Sequence, residues 1–244
     1  MLEWAGVGFG EEQSVMVCKS LERLAVTSSA SSIKLFGKIQ GTEADYWVAQ
    51  GVLKEAEEVP TNKKQEIRGK GTNAVVFWVT HNLMNDWIQL PECQPEHIIA
   101  AKMIVRTMTG NLNAAVDSCP PFCGKERHLL RAQLARIHHS TQLCPKGLFE
   151  MDDETLQQKY AEDFTVPATD DLKALEAWGH EPQLILNAGR CTHSEPVGME
   201  DEAKEEYMAK LNDSDKTEER FKTIAEDSVV KGQAAWLSKV AGDS

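Results

Sequence analysis

Residues 33–53, IKLFGKIQGTEADYWVAQGVL, decide the architecture. Ile33 to Gln40 and Tyr46 to Leu53 are rich in β-branched and aromatic residues, and the link between them, Gly41-Thr42-Glu43-Ala44-Asp45, carries turn chemistry. Two such runs around a short glycine-containing link predict an antiparallel hairpin, with Gly41 supplying the positive φ of the turn. Val75 to Thr80 (VVFWVT) is the strongest further strand. Neighbouring side chains in a strand point to opposite faces, so Tyr46 and Trp47 cannot share one face, nor can Phe77 and Trp78. At least one of each pair must meet a second sheet, a helix or another subunit. These four residues are therefore the candidates for a protein interface, because Trp and Tyr concentrate at binding hot spots; core packing is the competing reading.

Helices flank this sheet signal. Ser14, Val17, Leu21, Leu24 and Ala25 recur at spacings of three and four, which predicts a helix over about 11–26, stopped by the Ser-rich stretch Thr27 to Ser32. Pro95, Ile98, Ile99 and Lys102 predict a second helix, with Gly110 as its stop. Leu130, Leu134 and Ile137 predict a third, with Arg131 and Arg136 on its other faces and a part-strand reading as the alternative. Leu172, Leu175 and Trp178 suggest a weaker helix after Asp170-Asp171, and Glu200 to Leu211 is helix-prone and highly charged. Residues 54–72, charged and poor in large apolar side chains, read as an exposed insertion. The resulting fold class is α+β, a mainly antiparallel sheet with packed helices followed by an acidic helical or extended C-terminal region. A core domain over 1–150 and an acidic region over 151–244 are the expected divisions.

The charge distribution draws the same division. The chain has 244 residues, 41% of them apolar, with six Trp and a net charge of −12, so a real core is affordable. Residues 1–150 carry 16 acidic and 16 basic side chains, whereas residues 151–244 carry 22 acidic and 10 basic. Nucleic acid is not an expected partner, because phosphate binding needs a concentrated basic patch and Lys63, Lys64, Arg68 and Lys70 are flanked by Glu55, Glu57, Glu58 and Glu66. The N-terminus lacks the pattern of a signal peptide, and the longest apolar run, Ala74 to Val79, falls far short of the about 20 residues that span a bilayer. A soluble intracellular protein with six free thiols and no membrane association is expected.

No motif for catalysis or cofactor binding survives inspection. Gly6, Gly8 and Gly10 lack the spacing and preceding strand of a dinucleotide loop, and Gly69-Lys70-Gly71-Thr72 lacks the order of a phosphate loop. Asp213 to Thr217 opens like a calcium loop, but Glu218 and Ile224 stand where Gly and a bidentate Glu are needed. There is no Gly-x-Ser-x-Gly. The sharpest chemical cluster is Cys119, Cys123, His128, His138, His139 and Cys144, whose thiolate and imidazole groups suit zinc but whose spacing is irregular. Cys191 with His193 is weaker. Neither catalytic residues, cofactor nor metal is expected.

Several blocks together resemble the radial spoke head protein 4/6 family. Trp4 to Glu12 (WAGVGFGEE) is similar to the block that opens its domain, and Phe36 to Ile39 with Ala44 to Val48 resembles its first hairpin. Trp87 to Pro91, with Pro95, Ile98, Ala101, Lys102, Thr109 and Gly110, is similar to its tryptophan-to-helix segment. Pro120-Pro121-Phe122, Gly124 and Leu130 to Ile137, then Pro145, Gly147 and Phe149, form the strongest block. Later likeness is thinner: Trp178, His180, Ile185, Leu186 and Gly189 to Cys191, then Ile224 to Asp227 with Trp236. The chain stops where the family continues, so the resemblance implies a short or incomplete member. Relatives have Tyr and Pro where this chain has Cys119 and Cys123, which argues against a family-wide metal site.

The resemblance implies a non-enzymatic structural component of the radial spoke head in the axoneme of motile cilia and flagella. Its place would be the cytoplasmic, cytoskeletal compartment of the cilium. Implied partners are other spoke head proteins, by paralogue or self-pairing and of the spoke head protein 9 type, together with spoke stalk proteins and central pair projections. Transmission of mechanical signals between the central pair and the dynein arms is the implied task. The competing reading is a zinc-dependent or thiol enzyme using Cys119, Cys123, His128 and Cys144.

Overall fold

The computed structural model describes residues 8–54, 65–140, 142–152, 158–181, 185–192, 201–214, 221–227 and 236. Residues 1–7 of the opening block, 55–64 of the expected insertion, 215–218 of the calcium-like stretch and His193 lie outside the described residues. Two compact units divide the chain: Met1–Ala135 with Ala188–Arg190, and Arg136–Asn187 with Cys191–Ser244.

The first unit is built on a four-stranded antiparallel sheet in the order β1-β2-β3-β4, from β1 (Ala30–Ile39), β2 (Tyr46–Leu53), β3 (Val76–Thr80) and β4 (Ile88–Gln89). This bears out the α+β reading and the hairpin. Ala49 faces Trp78 and Gln50 faces Phe77 across β2 and β3, while β1 shifts register between Ala30 and Ser32 and again between Leu35 and Gly37.

Helix α1 (Glu11–Thr27) lies on one face. Its Val17, Leu21 and Leu24 pack with Trp47 and Trp78, joined by Ile33, Leu35, Leu83 and Trp87. Trp87 Nε1 donates to Ser20 Oγ at 2.9 Å, so the half-buried indole keeps its polar end satisfied. Ser14 and Ala25, expected on the buried stripe, are exposed, and Ser20 takes a place there instead.

The opposite face receives the first part of α3 (Glu126–Ser140). Tyr46 reaches Glu126 and Phe77 lies under Arg131, which is 2% exposed rather than on an outer face as the sequence suggested. A helix on each side explains how two pairs of adjacent aromatics are all accommodated in one unit.

Other differences have local causes. Helix α2 (Pro95–Met103) ends at Ile104, which is already extended, so Gly110 does not terminate it. The expected helix around Leu172 is two short 3-10 turns, Asp171–Lys173 and Leu175–Ala177. None of their residues is buried, so no packed face sustains a longer helix. The end of the supposed exposed insertion is buried at Gln65, Glu66 and Thr72, because its polar groups are hydrogen-bonded within the unit.

The second unit holds two small antiparallel pairs the sequence did not announce. Strand β5 (Leu143–Pro145) pairs with β8 (Trp178–His180), and β6 (Phe149–Met151) pairs with β7 (Gln158–Tyr160). Helix α4 (Asp201–Ser214) matches the charged helix-prone stretch.

Candidate functional site

The most elaborate polar construction in the first unit is a joint where the β1–β2 turn, residues 108–110 and the start of α3 meet. Gly41 bridges to Met108, and the turn amides of Thr42 and Glu43 donate to the carbonyls of Met108 and Thr109, both at 2.9 Å. Gly41 is needed here for space rather than for positive φ: a Cβ would sit 2.1 Å from Ala44 O. Gly110 approaches the same turn from the other side at φ +101°, with a virtual Cβ 2.5 Å from Ala44 O.

Glu126, 2% exposed, closes the joint. Its Oε1 accepts from Tyr46 Oη and from the Gly110 amide, both at 2.9 Å; its Oε2 accepts from the Thr109 amide at 2.9 Å and the Thr109 hydroxyl at 2.8 Å. Burial alone would push this carboxyl up, but the donors from Thr109, Gly110 and Tyr46 outweigh it and hold the group below the ordinary glutamate range. A carboxylate saturated by four donors has little basicity left to offer a substrate. Meanwhile burial and the neighbouring Glu126 charge push the Tyr46 phenol well above its ordinary value.

A second lock ties residues 65–75 to α3. Arg131 Nη2 donates to Thr72 O at 2.9 Å, Asn73 Oδ1 at 3.1 Å and Val75 O at 3.2 Å, and its guanidinium lies 5.0 Å from the Phe77 ring centre. Asn73 pairs with Cys93 in both directions, the Cys93 amide donating to Oδ1 at 2.8 Å and Nδ2 donating to Cys93 O at 3.2 Å. Glu66 Oε2 accepts from the Thr72 amide and hydroxyl at 2.8 and 2.7 Å.

The four interface candidates belong to this interior. Tyr46 and Phe77 are 0% exposed, Trp78 3% and Trp47 7%. The chain's own helices cover them, so in this arrangement they are not surface side chains.

The cysteine and histidine cluster is divided between the units, Cys119, Cys123 and His128 in the first and His138, His139 and Cys144 in the second. Cys119 and Cys123 are exposed, while Cys144 lies in the second unit with its Sγ 3.9 Å from Gly179 O and 3.8 Å from His180 O. His97 Nε2 contacts the Cys123 carbonyl at 2.7 Å rather than its thiol, and His128 Nδ1 accepts from the Lys125 amide at 3.0 Å. Among the described residues no three His, Cys, Asp or Glu side chains are grouped to hold a metal. Burial, with Glu181 adding to it, pushes the Cys144 thiol up, the wrong direction for a nucleophile.

In the second unit, Asp227 gathers the two late sequence blocks. Its Oδ2 accepts from His180 Nε2 at 2.7 Å and Trp236 Nε1 at 2.6 Å, and Lys222 Nζ lies 3.4 Å from Oδ1. His180, Asp227 and Trp236 stand in the late sequence blocks, Lys222 does not, and nothing in their spacing signals that the four meet.

Comparison with known proteins agrees with the block pattern. The family described as radial spokehead-like protein matches residues 1–68 and 59–243. Flagellar radial spoke protein 4 of Chlamydomonas reinhardtii is 28% identical over 263 residues, covering 97% of this chain and 56% of that protein. Radial spoke head protein 4 homolog A of Homo sapiens is 27% identical over 293 residues, covering 99% of this chain and 41% of the relative. Radial spoke head protein 6 homolog A of Xenopus tropicalis is 30% identical over 240 residues, covering 78% and 45%. The chain thus spans about half the length of the curated relatives it matches.

Proposed function

Because this chain belongs to the radial spokehead-like protein family, we propose that it is a structural component of the radial spoke head in the axoneme of motile cilia or flagella. The family match across nearly all its residues is the observation that carries this reading. The likeness to proteins named for the radial spoke of flagella supports the location.

A part of this kind works by contact and by resisting deformation. The sheet held between α1 and α3, with Glu126 and Arg131 each bonding two backbone groups, supplies stiffness suited to passing mechanical signals from central pair projections toward the dynein arms. Partners of the proposed assembly are other spoke head proteins and the spoke stalk. We read residues 1–150 as the core head domain and the acid-rich remainder as a solvated region that limits sticking through like-charge repulsion. The role is non-enzymatic, in keeping with a buried carboxylate and a buried arginine both committed to holding backbone.

The test is to tag the chain in a ciliated cell and remove the membrane with detergent. Retention on the axoneme and co-purification with spoke head subunits after salt extraction are expected; release as a free protein overturns the proposal. Neutralising Glu200, Glu202, Glu205 and Glu206 should alter head contacts or beating, and unchanged beating and contacts would dismiss the role given to the acidic region.

A further inference from the structure

Within the second unit, the β5–β8 pair, the turn after β5 and Phe221 enclose a groove of about 340 Å³. This volume is in the range of ligand and side-chain pockets. Pro145, Phe149 and Phe221 give it an apolar lining, and at Gly147 and Gly179 no side chain narrows it. Phe149 stacks 4.9 Å from Tyr160, a ring that is 70% exposed. Among the described residues β5 pairs only with β8, but Pro145 brings no N–H to its other edge and the Pro145 carbonyl accepts from the Leu148 amide at 3.2 Å, so side chains of the groove rather than a strand ladder are what it offers a bound segment.

The charges of the lining are unequally matched. Glu150 is paired with Lys159 at 3.2 Å, and His180 with Asp227 at 2.7 Å. Lys146, exposed and part of the lining, has no ion-pair partner among the described residues. The groove therefore presents an apolar floor with one uncompensated cation, in a region otherwise rich in carboxylates.

We infer that this groove binds an extended segment of a partner protein in which an aromatic side chain is followed by a carboxylate, the ring entering between Pro145, Phe149 and Phe221 and the carboxylate meeting Lys146. The inference is independent of where in the cell the chain resides, because it is read on the purified protein.

The probe is N-acetylphenylalanine, whose ring and carboxylate reproduce that chemistry, compared with N-acetylphenylalaninamide. Amide resonances of Gly147 and Gly179 report binding by NMR. Both compounds should move these two resonances saturably, the carboxylate binding about threefold tighter, as expected of a solvent-exposed ion pair. Lys146→Gln, a surface change, should erase that preference and leave amide binding unchanged. Equal affinity of acid and amide overturns the inference, as does perturbation confined to residues outside the groove. Concentration-dependent shifts of Gly147 and Gly179 without any probe would give the groove to a second copy of the chain and likewise overturn it.

Discussion

Tyr46 Oη donates a 2.9 Å hydrogen bond to Glu126 Oε1, joining strand β2 to the first turn of α3 across 80 residues of sequence. Both ends are buried. Removing the phenol by Tyr46→Phe should cost about 1 kcal/mol, and Glu126→Gln about 2 kcal/mol or more, because an amide group then confronts donors with a donor of its own. The double variant should cost less than the sum, with a coupling of about 1 kcal/mol. Urea denaturation of the four proteins measures all three quantities.

The same pair sets limits on pH. The folded-state carboxyl of Glu126 lies below its unfolded value, so its contribution is present above the ordinary glutamate range and is lost as pH falls through the folded value. The folded-state phenol of Tyr46 lies above its unfolded value near 10.0, so its contribution is whole below that pH and is lost as pH rises beyond it. Urea midpoints should fall at both extremes. The alkaline loss should be smaller in Tyr46→Phe, and an identical alkaline profile would remove Tyr46 from the account.

Arg131→Lys should behave as a severe change rather than a conservative one. A lysine ammonium cannot reproduce the planar group that serves Thr72 O, Asn73 Oδ1 and Val75 O while lying over Phe77. A loss of about 2–3 kcal/mol is expected from buried acceptors left unpaired. Thermal unfolding of Arg131→Lys beside the parent protein measures the loss, and an unchanged midpoint would show that a lysine serves these acceptors equally well.

What the sequence disclosed depended on how local the signal was. The stripe of Val17, Leu21 and Leu24, the alternation in 33–53 and the aromatic run at 76–80 act over a few residues, and the structure forms a helix, a hairpin and a strand there. Glu126 gave no such sign: in GKERHLLRAQ it reads as one more charge at a helix start, and its partners Tyr46, Thr109 and Gly110 lie 16 to 80 residues away. Arg131 misled for a related reason, since a charged side chain between two leucine positions is ordinarily a solvated one. The three-residue strands of the second unit were too short for any alternation to register.

Gly110 and Gly147 both have positive φ, at +101° and +81°, but only Gly110 is crowded. Gly147→Ala should cost about 1 kcal/mol, the backbone penalty alone. Gly110→Ala adds a clash with Ala44 backbone and should cost clearly more, about 3 kcal/mol. Similar losses for both in urea unfolding would mean that the turn moves aside easily, against the rigid joint described here.

The thiols should separate by accessibility. Cys18, Cys119 and Cys123 are exposed, Cys144 is half-buried, and Cys93 and Cys191 are buried. Burial pushes Cys93 up to about 11, only partly offset by Arg131. With a chromogenic disulfide reagent at mildly alkaline pH, three thiols should react rapidly, Cys144 more slowly, and Cys93 and Cys191 only on unfolding. Addition of zinc should leave the fast phase unchanged; protection of Cys119 and Cys123 together would revive the metal reading.

Asp227 offers a probe of the second unit that is separate from the joint at Glu126. Burial would raise its carboxyl, but the bonds from Trp236 and His180 prevail and hold it below the ordinary aspartate range. Both donors use Oδ2, so Asp227→Asn can keep one oxygen in place for them and loses chiefly the charge, whereas Asp227→Ala removes the acceptor altogether. Emission from Trp236, taken as the difference between the parent and Trp236→Phe, should shift to the red and become more open to quenching by acrylamide in the alanine variant, with the asparagine variant between. Because the folded-state pKa is depressed, the contact persists above the ordinary aspartate range and is lost as pH falls through the folded value, so acid should produce the same red shift in the parent. A Trp236 signal indifferent to both changes would show that Asp227 does not hold the late blocks together.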